Sequence, residues 1–503
     1  MGFSRRDFLK LGGLATAALS ATSCSAVGRE LAQRDLPESL GVPLQSGEAA
    51  ADPVRRLLNR GGYGPRPGDL ARAVEMGLEA YLEEQLNPEQ IEDTAADLLV
   101  RNLTLYHMDP GQLTEQDRRD ATAELFVATL SRALYSKRQL YEVMVEFWSD
   151  HFNIYLFKMR KVMPFLKILD DRDAIRPHAL GRFRDLVTAS VHSPAMLVYL
   201  DNVRNHKEAP NENYARELME LHTLGVHGGY TQQDVQEVAR VLTGWTVRRR
   251  GPRRGETFLD EGQHDFGEKT ILGRVFPAGR GVEEIEDLIN LLVEHPSTAT
   301  FIATKLVRRF VADEPPDALV ERVAETYRST DGDIKAMLRT IFLSEEFATA
   351  PPKLKRPYSF MISAIRALHG DVRGRGYRRL ANWLRTLGQP LFQWGTPDGY
   401  PDEAAAWATN LLPRWNFCLA LIGGGVNGVT LPLEELAQAG DATDTDSALD
   451  VFAQLILGEP LEAATKQLFS AYVGGSDISD AETRERIGEA LAIMLASPAF
   501  QWA

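Results

Sequence analysis

Apolar residues recur at three- and four-residue spacing over residues 71–86, 121–154, 211–224, 231–245, 282–295 and 298–311. That is the period of helices with one buried face. Thr231-Gln232-Gln233-Asp234 offers an N-terminal capping pattern, and Gly225 and Gly244 stand where helices should stop. Past Trp245 the period changes. Thr246-Val247, Thr257-Phe258-Leu259 and Thr270-Ile271-Leu272 are short β-prone runs separated by glycine and charge. The pattern predicts a mainly α protein with one large multi-helix domain over residues 53–430. A small β-hairpin or three-stranded flap is inserted at 246–277, and a C-terminal helical segment follows at 431–503. Residues 388–413 form a long connection rich in Pro, Gly and Trp, a type of loop that often carries function in compact domains.

The N-terminus reads differently. Arg5 and Arg6 precede Phe8-Leu9-Lys10, and residues 11–21 are a weakly apolar run of Gly, Ala and Leu with no charged face. Charge followed by a short apolar stretch predicts a twin-arginine export signal over residues 1–26, with 27–52 as a polar tether. The expected location is periplasmic or extracellular, with the twin-arginine translocase as a partner during export. Cys24 follows Ala21-Thr22-Ser23, which resembles a lipoprotein box with Ala where Leu is usual. The small residues around it also suit an ordinary signal peptidase, so lipidation at Cys24 and removal of Cys24 both stay open. No later stretch approaches eighteen unbroken apolar residues, so membrane attachment is expected only through such an anchor.

Composition narrows the chemistry. With 44% hydrophobic and 25% charged residues the chain should fold, and a net charge of -14 argues against general nucleic-acid binding. Arg248-Arg249-Arg250 with Arg253-Arg254 is the concentrated basic patch, read as a solvated loop or as a site for an anionic ligand. Two cysteines, Cys24 and Cys418, are too few for an iron–sulfur cluster or a thiolate metal site. A divalent metal would have to be held by His, carboxylate or backbone oxygen. Cys418, between Phe417 and Leu419, is expected to be a buried, inert thiol.

Three clusters are candidates for a site. On one helix Asn213, Glu217 and Glu220 share a face flanked by Arg216, so two carboxylates and a guanidinium could meet at one point. Paired carboxylates suit acid/base work or a metal, although a solvated face with an Arg216–Glu220 pair explains the same spacing. The next helix returns with Asp234, Glu237 and Arg240 on its polar side. In Phe147-Trp148-Ser149-Asp150-His151-Phe152-Asn153, His151 shares a face with Phe147 and Met144, whereas Glu142, Glu146, Asp150 and Asn153 lie opposite. A histidine among aromatics is more often a core residue than a ligand. His264-Asp265 in the flap could reach one ligand from a turn. Catalytic expectations therefore fall on Glu217, Glu220, Arg216, His151 and Asp234. Those for substrate fall on Asn213, His264, Asp265 and Trp394, and those for a metal on His151, Glu217 and His264. Trp394, Tyr400, Trp407 and Trp415 suit either sugar stacking or core packing, with packing expected for at least two.

Several of these segments together resemble a known family. Phe147 to Asn153, Asn211 to Gly225, Tyr230 to Trp245, His264-Asp265-x-Gly267-x-Lys269, His295-Pro296-Ser297-Thr298 with Phe301-Ile302-Ala303-x-Lys305-Leu306, and Arg56 to Gly64 are similar, in order, to the bacterial domain of unknown function 1800 family. The resemblance implies a largely helical, frequently exported protein with no agreed activity. Such proteins are often encoded beside a second exported, sulfatase-like family. That neighbourhood implies work on an extracytoplasmic polymer or envelope glycan, as a hydrolase or lyase. The alternatives are a non-catalytic partner of a co-secreted enzyme and a metal or cofactor carrier. Asn is frequent in the family where this chain has Asp150, which puts a strict need for that carboxylate in doubt.

Overall fold

Helices form where the period predicts them, and tertiary contacts decide where they break. The computed structural model describes residues 22–34, 36–37, 40, 52–159, 161–251 and 253–503. The paired arginines and the apolar run of the export signal lie outside those residues. Part of the expected tether does not: Thr22–Arg34 is a helix, with Cys24 in its first turn. It packs against the helix Thr94–Arg101 so closely that a Cβ on Gly28 would lie 2.9 Å from the Ala95 carbonyl oxygen. Polar composition hid this helix because, among residues 26–33, the buried positions are the small Gly28 and Ala32.

The long run predicted over 121–154 is two helices, Arg118–Tyr135 and Gln139–His151. No Gly or Pro marks the break. Asp93, far away in sequence, accepts the Ser136 hydroxyl at 2.5 Å and the Lys137 N–H at 3.0 Å, and so draws the chain out of the helix. The run over 71–86 breaks at Gly77 into Asp69–Met76 and Leu78–Leu86. Thr231 and Asp234 form the expected capping box on Gln232–Val241. The His295-Pro296 motif starts the helix Pro296–Phe310, with His295 Nδ1 accepting the Ser297 N–H at 3.2 Å.

The flap is two separate antiparallel hairpins and not one three-stranded sheet. Trp245–Val247 pairs with Thr257–Leu259, and Lys269–Ile271 pairs with Arg274–Phe276. Asp371–Val372 pairs with Val429–Thr430 in a third two-stranded sheet. Everything else regular among the described residues is helical, so the mainly α reading holds. One apolar core runs from Ala32 to Phe500 and includes Leu449, Phe452 and Leu491 of the C-terminal helices. Among the described residues no helix is long and apolar enough to cross a membrane. Cys418 is fully buried, and burial pushes its thiol up to about 12.

Candidate functional site

The predicted residues divide between surface, flap and core. Glu212–Glu217 is a short α-helix that continues as a wider π-helical turn, Leu218–Thr223. Arg216 pairs with Glu212 at 2.9 Å, not with Glu220, and also reaches Gln232 at 2.9 Å. Asn213 is spent on the Leu200 carbonyl at 3.0 Å. Glu217 and Glu220 do stay together, both half-buried. Burial pushes the Glu217 carboxyl up, Glu220 and Asp398 add repulsion, and Arg216 opposes them. The Tyr230 hydroxyl adjoins Glu220.

His151 is a core residue. Its ring is enclosed by Phe147, Trp148, Phe152, Phe183 and Phe301, and Nε2 reaches the His222 carbonyl at 3.0 Å. Burial drives its pKa well below the ordinary value, with Lys305 and His222 adding to the effect, so the ring is neutral. Apolar neighbours claim that face of the helix, and no hydrogen bond or ion pair among the described residues joins His151 to Glu217. Among the described residues no group of three His, Cys, Asp or Glu side chains is arranged to hold a metal ion.

The flap residues hold the flap. Asp234 caps its helix and accepts the Leu272 N–H at 2.7 Å. Asp265 binds Arg240 through Nε at 2.7 Å and Nη2 at 3.3 Å. His264 lies between the Thr243 carbonyl at 2.8 Å and the Arg280 carbonyl at 3.2 Å, with Glu284 at 3.6 Å. Lys269 joins the same Glu284 at 2.8 and 3.0 Å. Burial works against a charged His264, but Glu284 and the Thr243 carbonyl outweigh it and the pKa is raised. Together these contacts make a clamp between flap and helix.

The loop over 388–413 folds onto the Phe147–Asn153 motif. Asn153 donates to the Trp394 and Thr396 carbonyls at 3.1 and 2.6 Å. Trp394 donates to Asp398 at 2.8 Å, while Tyr400 and Trp407 are buried together over Leu354. Trp415 is exposed elsewhere, so the four rings make no single platform. Gly399 takes φ +77°, and a Cβ there would lie 2.1 Å from the Asp150 carbonyl oxygen, so only glycine lets the loop close.

Closure completes an ion network. Arg356 binds Asp150, reaches Glu146 at 3.3 Å and reaches Asp402 at 3.2 Å. Arg309 binds Glu146 at 2.9 Å and Asp402 at 3.0 Å, and the Tyr63 hydroxyl donates to Glu146 at 3.1 Å. Burial raises Asp150 to about 6 against the pull of Arg356, with Glu146 and Asp402 adding repulsion. Burial also opposes ionised Asp402, yet Arg309, Arg356 and Lys353 hold it well below the usual carboxylate range. Carboxylates driven apart in this way can serve acid/base chemistry. The crevice beside them, lined by Tyr63, Glu146, Ser149, Asp150 and Tyr400, has a volume of only about 50 Å³. That is room for one or two waters and no substrate. The network joins five distant segments of chain.

A much larger cavity, about 610 Å³, lies beside the same stretch of chain. Helix Pro53–Arg60 begins with Asp52 as cap and buries Val54, Leu57 and Leu58, which turns Arg55 and Arg56 to the cavity wall. Residues 353–355 pair with 501–503 through Lys353–Ala503 bonds of 2.8 Å and a Lys355–Gln501 bond of 2.9 Å. That pairing carries Lys355 into the cavity. Arg60 spends its guanidinium on the backbone oxygens of Phe310, Val311, Pro351 and Ala503 at 2.5 to 3.2 Å. Lys355 is 8% exposed. Its Nζ lies 3.4 Å from Ser363 Oγ and 4.0 Å from the centre of the Phe500 ring. Burial lowers its pKa to about 7, and the charges that act on it, Arg55 and Arg414, are cationic too. Four basic side chains line this cavity against two acidic ones, Asp52 and Glu459, and Leu455, Ile456, Leu457 and Phe500 give it an apolar side.

No part of this cavity was among the candidate residues. Arg55, Lys355 and Phe500 are too far apart in sequence for any local pattern to join them. The available signal was three arginines within one turn and a half of helix, at 55, 56 and 60, with no acid in the first turn. The family described as protein of unknown function (DUF1800) matches residues 56–502 of the chain. No curated protein and no solved structure matches it.

Proposed function

Because the chain belongs to the DUF1800 family, whose description assigns no activity, we propose a function from the geometry: it binds an anionic ligand in the basic cavity. The supporting observation is Lys355, a buried ammonium on the cavity wall on which the guanidiniums of Arg55 and Arg414 act. Burying such a charge costs several kcal/mol, and an anion in the cavity would offset that cost. At about 610 Å³ the cavity has the size of a small-molecule site. It suits a carboxylate, sulfate or phosphate group on a body with an apolar face, either as a free molecule or as the end of a polymer. The test is thermal unfolding of the full chain with sulfate, phosphate, glucuronate and uncharged glucose. The three anions should raise the midpoint in wild type and much less in Lys355→Met, and glucose should do nothing. Equal shifts in both proteins would remove the reading.

A second reading keeps acid/base chemistry, as a hydrolase or lyase of an extracytoplasmic polymer or envelope glycan. Its support is the half-buried pair Glu217 and Glu220, with Asp398 and Tyr230 beside it. Glu217→Gln and Glu220→Gln should then abolish turnover of an anionic glycan and leave folding unchanged. Unaltered turnover would end it. On either reading we place the protein outside the cytoplasm after twin-arginine export, released or held through Cys24. A sulfatase-like co-exported protein would supply or consume its anionic ligand. Changing Arg5 and Arg6 to Lys and fractionating the cells tests the location, since the variant should stay in the cytoplasm.

A further inference from the structure

We propose that Lys355 is a nucleophilic amine that forms an imine with the carbonyl group of an anionic aldehyde or ketone held in this cavity. The inference rests on the anion-binding reading and adds a covalent step to it. Nucleophilic lysines need a neutral amine at working pH, and the known routes are desolvation and a neighbouring cation.

Both routes are built here from every side. Helix Pro53–Arg60 presents Arg55, with Arg56 and Arg60 also on the cavity wall. Helix Leu411–Ile422 places the buried Arg414 behind Lys355, with Nη2 on the Lys355 carbonyl at 2.8 Å. The acidic groups on the wall are Asp52 and Glu459; both act on Arg55, and Asp52 also acts on Arg56 and accepts the Val54 N–H. The Phe500 ring offers the ammonium a cation–π contact that opposes deprotonation. Desolvation and the guanidiniums outweigh it, and the amine titrates at about 7. Arg55, which depresses the amine and lines the cavity, is also placed to hold the ligand's anionic end, so one residue serves both binding and activation.

The step balances without any further reagent. The Nζ lone pair forms a bond to the carbonyl carbon while the C=O π pair moves to oxygen, which takes up a proton. Nitrogen gives up a proton, for which Ser363 Oγ at 3.4 Å is the adjacent hydroxyl. The hydroxyl then takes the remaining N–H proton and leaves as water, the nitrogen pair becomes the C=N π bond, and the imine nitrogen takes back the proton that the ammonium released. The protonated imine carries the same single positive charge as the ammonium it replaces, so the charge balance of the cavity is preserved.

The experiment treats the full chain with pyridoxal 5′-phosphate, an anionic aldehyde, followed by cyanoborohydride, and locates the reduced adduct by peptide mass. Lys355 should be the dominant site, with labelling that rises through about pH 7 and is suppressed by inorganic phosphate. Lys355→Arg, which keeps the charge, should lose this adduct. Labelling spread evenly over exposed lysines, or an unlabelled Lys355, would overturn the imine. Phosphate binding measured on the same sample separates the two claims: phosphate bound with Lys355 unlabelled sinks the imine alone, and no phosphate bound sinks the anion reading.

Discussion

Lys355 and Arg356 are consecutive in the chain and serve opposite electrostatic environments. Lys355 is directed into the basic cavity, with Arg55 and Arg414 as the charges that act on it, whereas Arg356 is clasped by Asp150, Glu146 and Asp402. Each is less than one-tenth exposed. One is short of counter-charge and the other has more than it needs. That asymmetry separates a binding site from a structural joint.

Replacing Arg356 should be severe. Arg356→Met takes from Asp150 its ion-pair partner and leaves Glu146 and Asp402 to Arg309, with Lys353 beside Asp402, and such a break in a buried site costs about 3–5 kcal/mol. Asp150→Asn should be far milder, under about 1.5 kcal/mol, because it removes a charge that burial already disfavours. Denaturant unfolding of the two variants measures the contrast. Equal losses would mean that the network is not centred on Arg356.

Lys355 gives a pH signature of its own. Its folded value near 7 lies below the ordinary 10.5, so between those values the unfolded chain binds more protons. Stability therefore rises with pH across that window, and the penalty is fully present below about pH 7. Lys355→Met should be more stable than wild type at pH 6, by an amount on the order of 4 kcal/mol before packing losses, with the gap closing toward pH 10. Saturating phosphate at pH 6 should also narrow it. A gap independent of pH would show that Lys355 is charged and compensated.

His264 should behave in the opposite sense. Its folded pKa is raised by Glu284 and the Thr243 carbonyl, so its contribution is whole below the ordinary 6.5 and fades as pH rises through the folded value. NMR titration should find His264 above the ordinary value, and Glu284→Gln should lower it. A ring that titrates normally would mean that the flap clamp is uncharged.

Local chemistry was legible in the sequence. The Thr231–Asp234 capping box, the stop at Gly225 and the buried Cys418 follow from residues close together in the chain, whereas the helix expected to run to Gly244 already ends at Val241. The helix break at Ser136 was not, because its cause is Asp93. The site was least legible. His151, Asp234 and His264 looked like chemistry because polar residues in patterned segments do, yet each proved to be holding a neighbour. The basic cavity needs helix Pro53–Arg60, the segment around Lys355 and the last helix, Pro498–Gln501, to meet, and that meeting is a property of the fold.

The most direct measurement is a calorimetric titration of the full chain with inorganic phosphate at pH 6.5. The cavity should take one phosphate per chain, at least tenfold more weakly in Lys355→Met, and unchanged in a control with Arg249 and Arg250 of the exposed loop replaced by Ser. Affinity should also fall as pH rises past about 7, when Lys355 loses its proton. Equal affinity in wild type and Lys355→Met, or a loss in the loop control alone, would contradict the assignment of this cavity as the binding site.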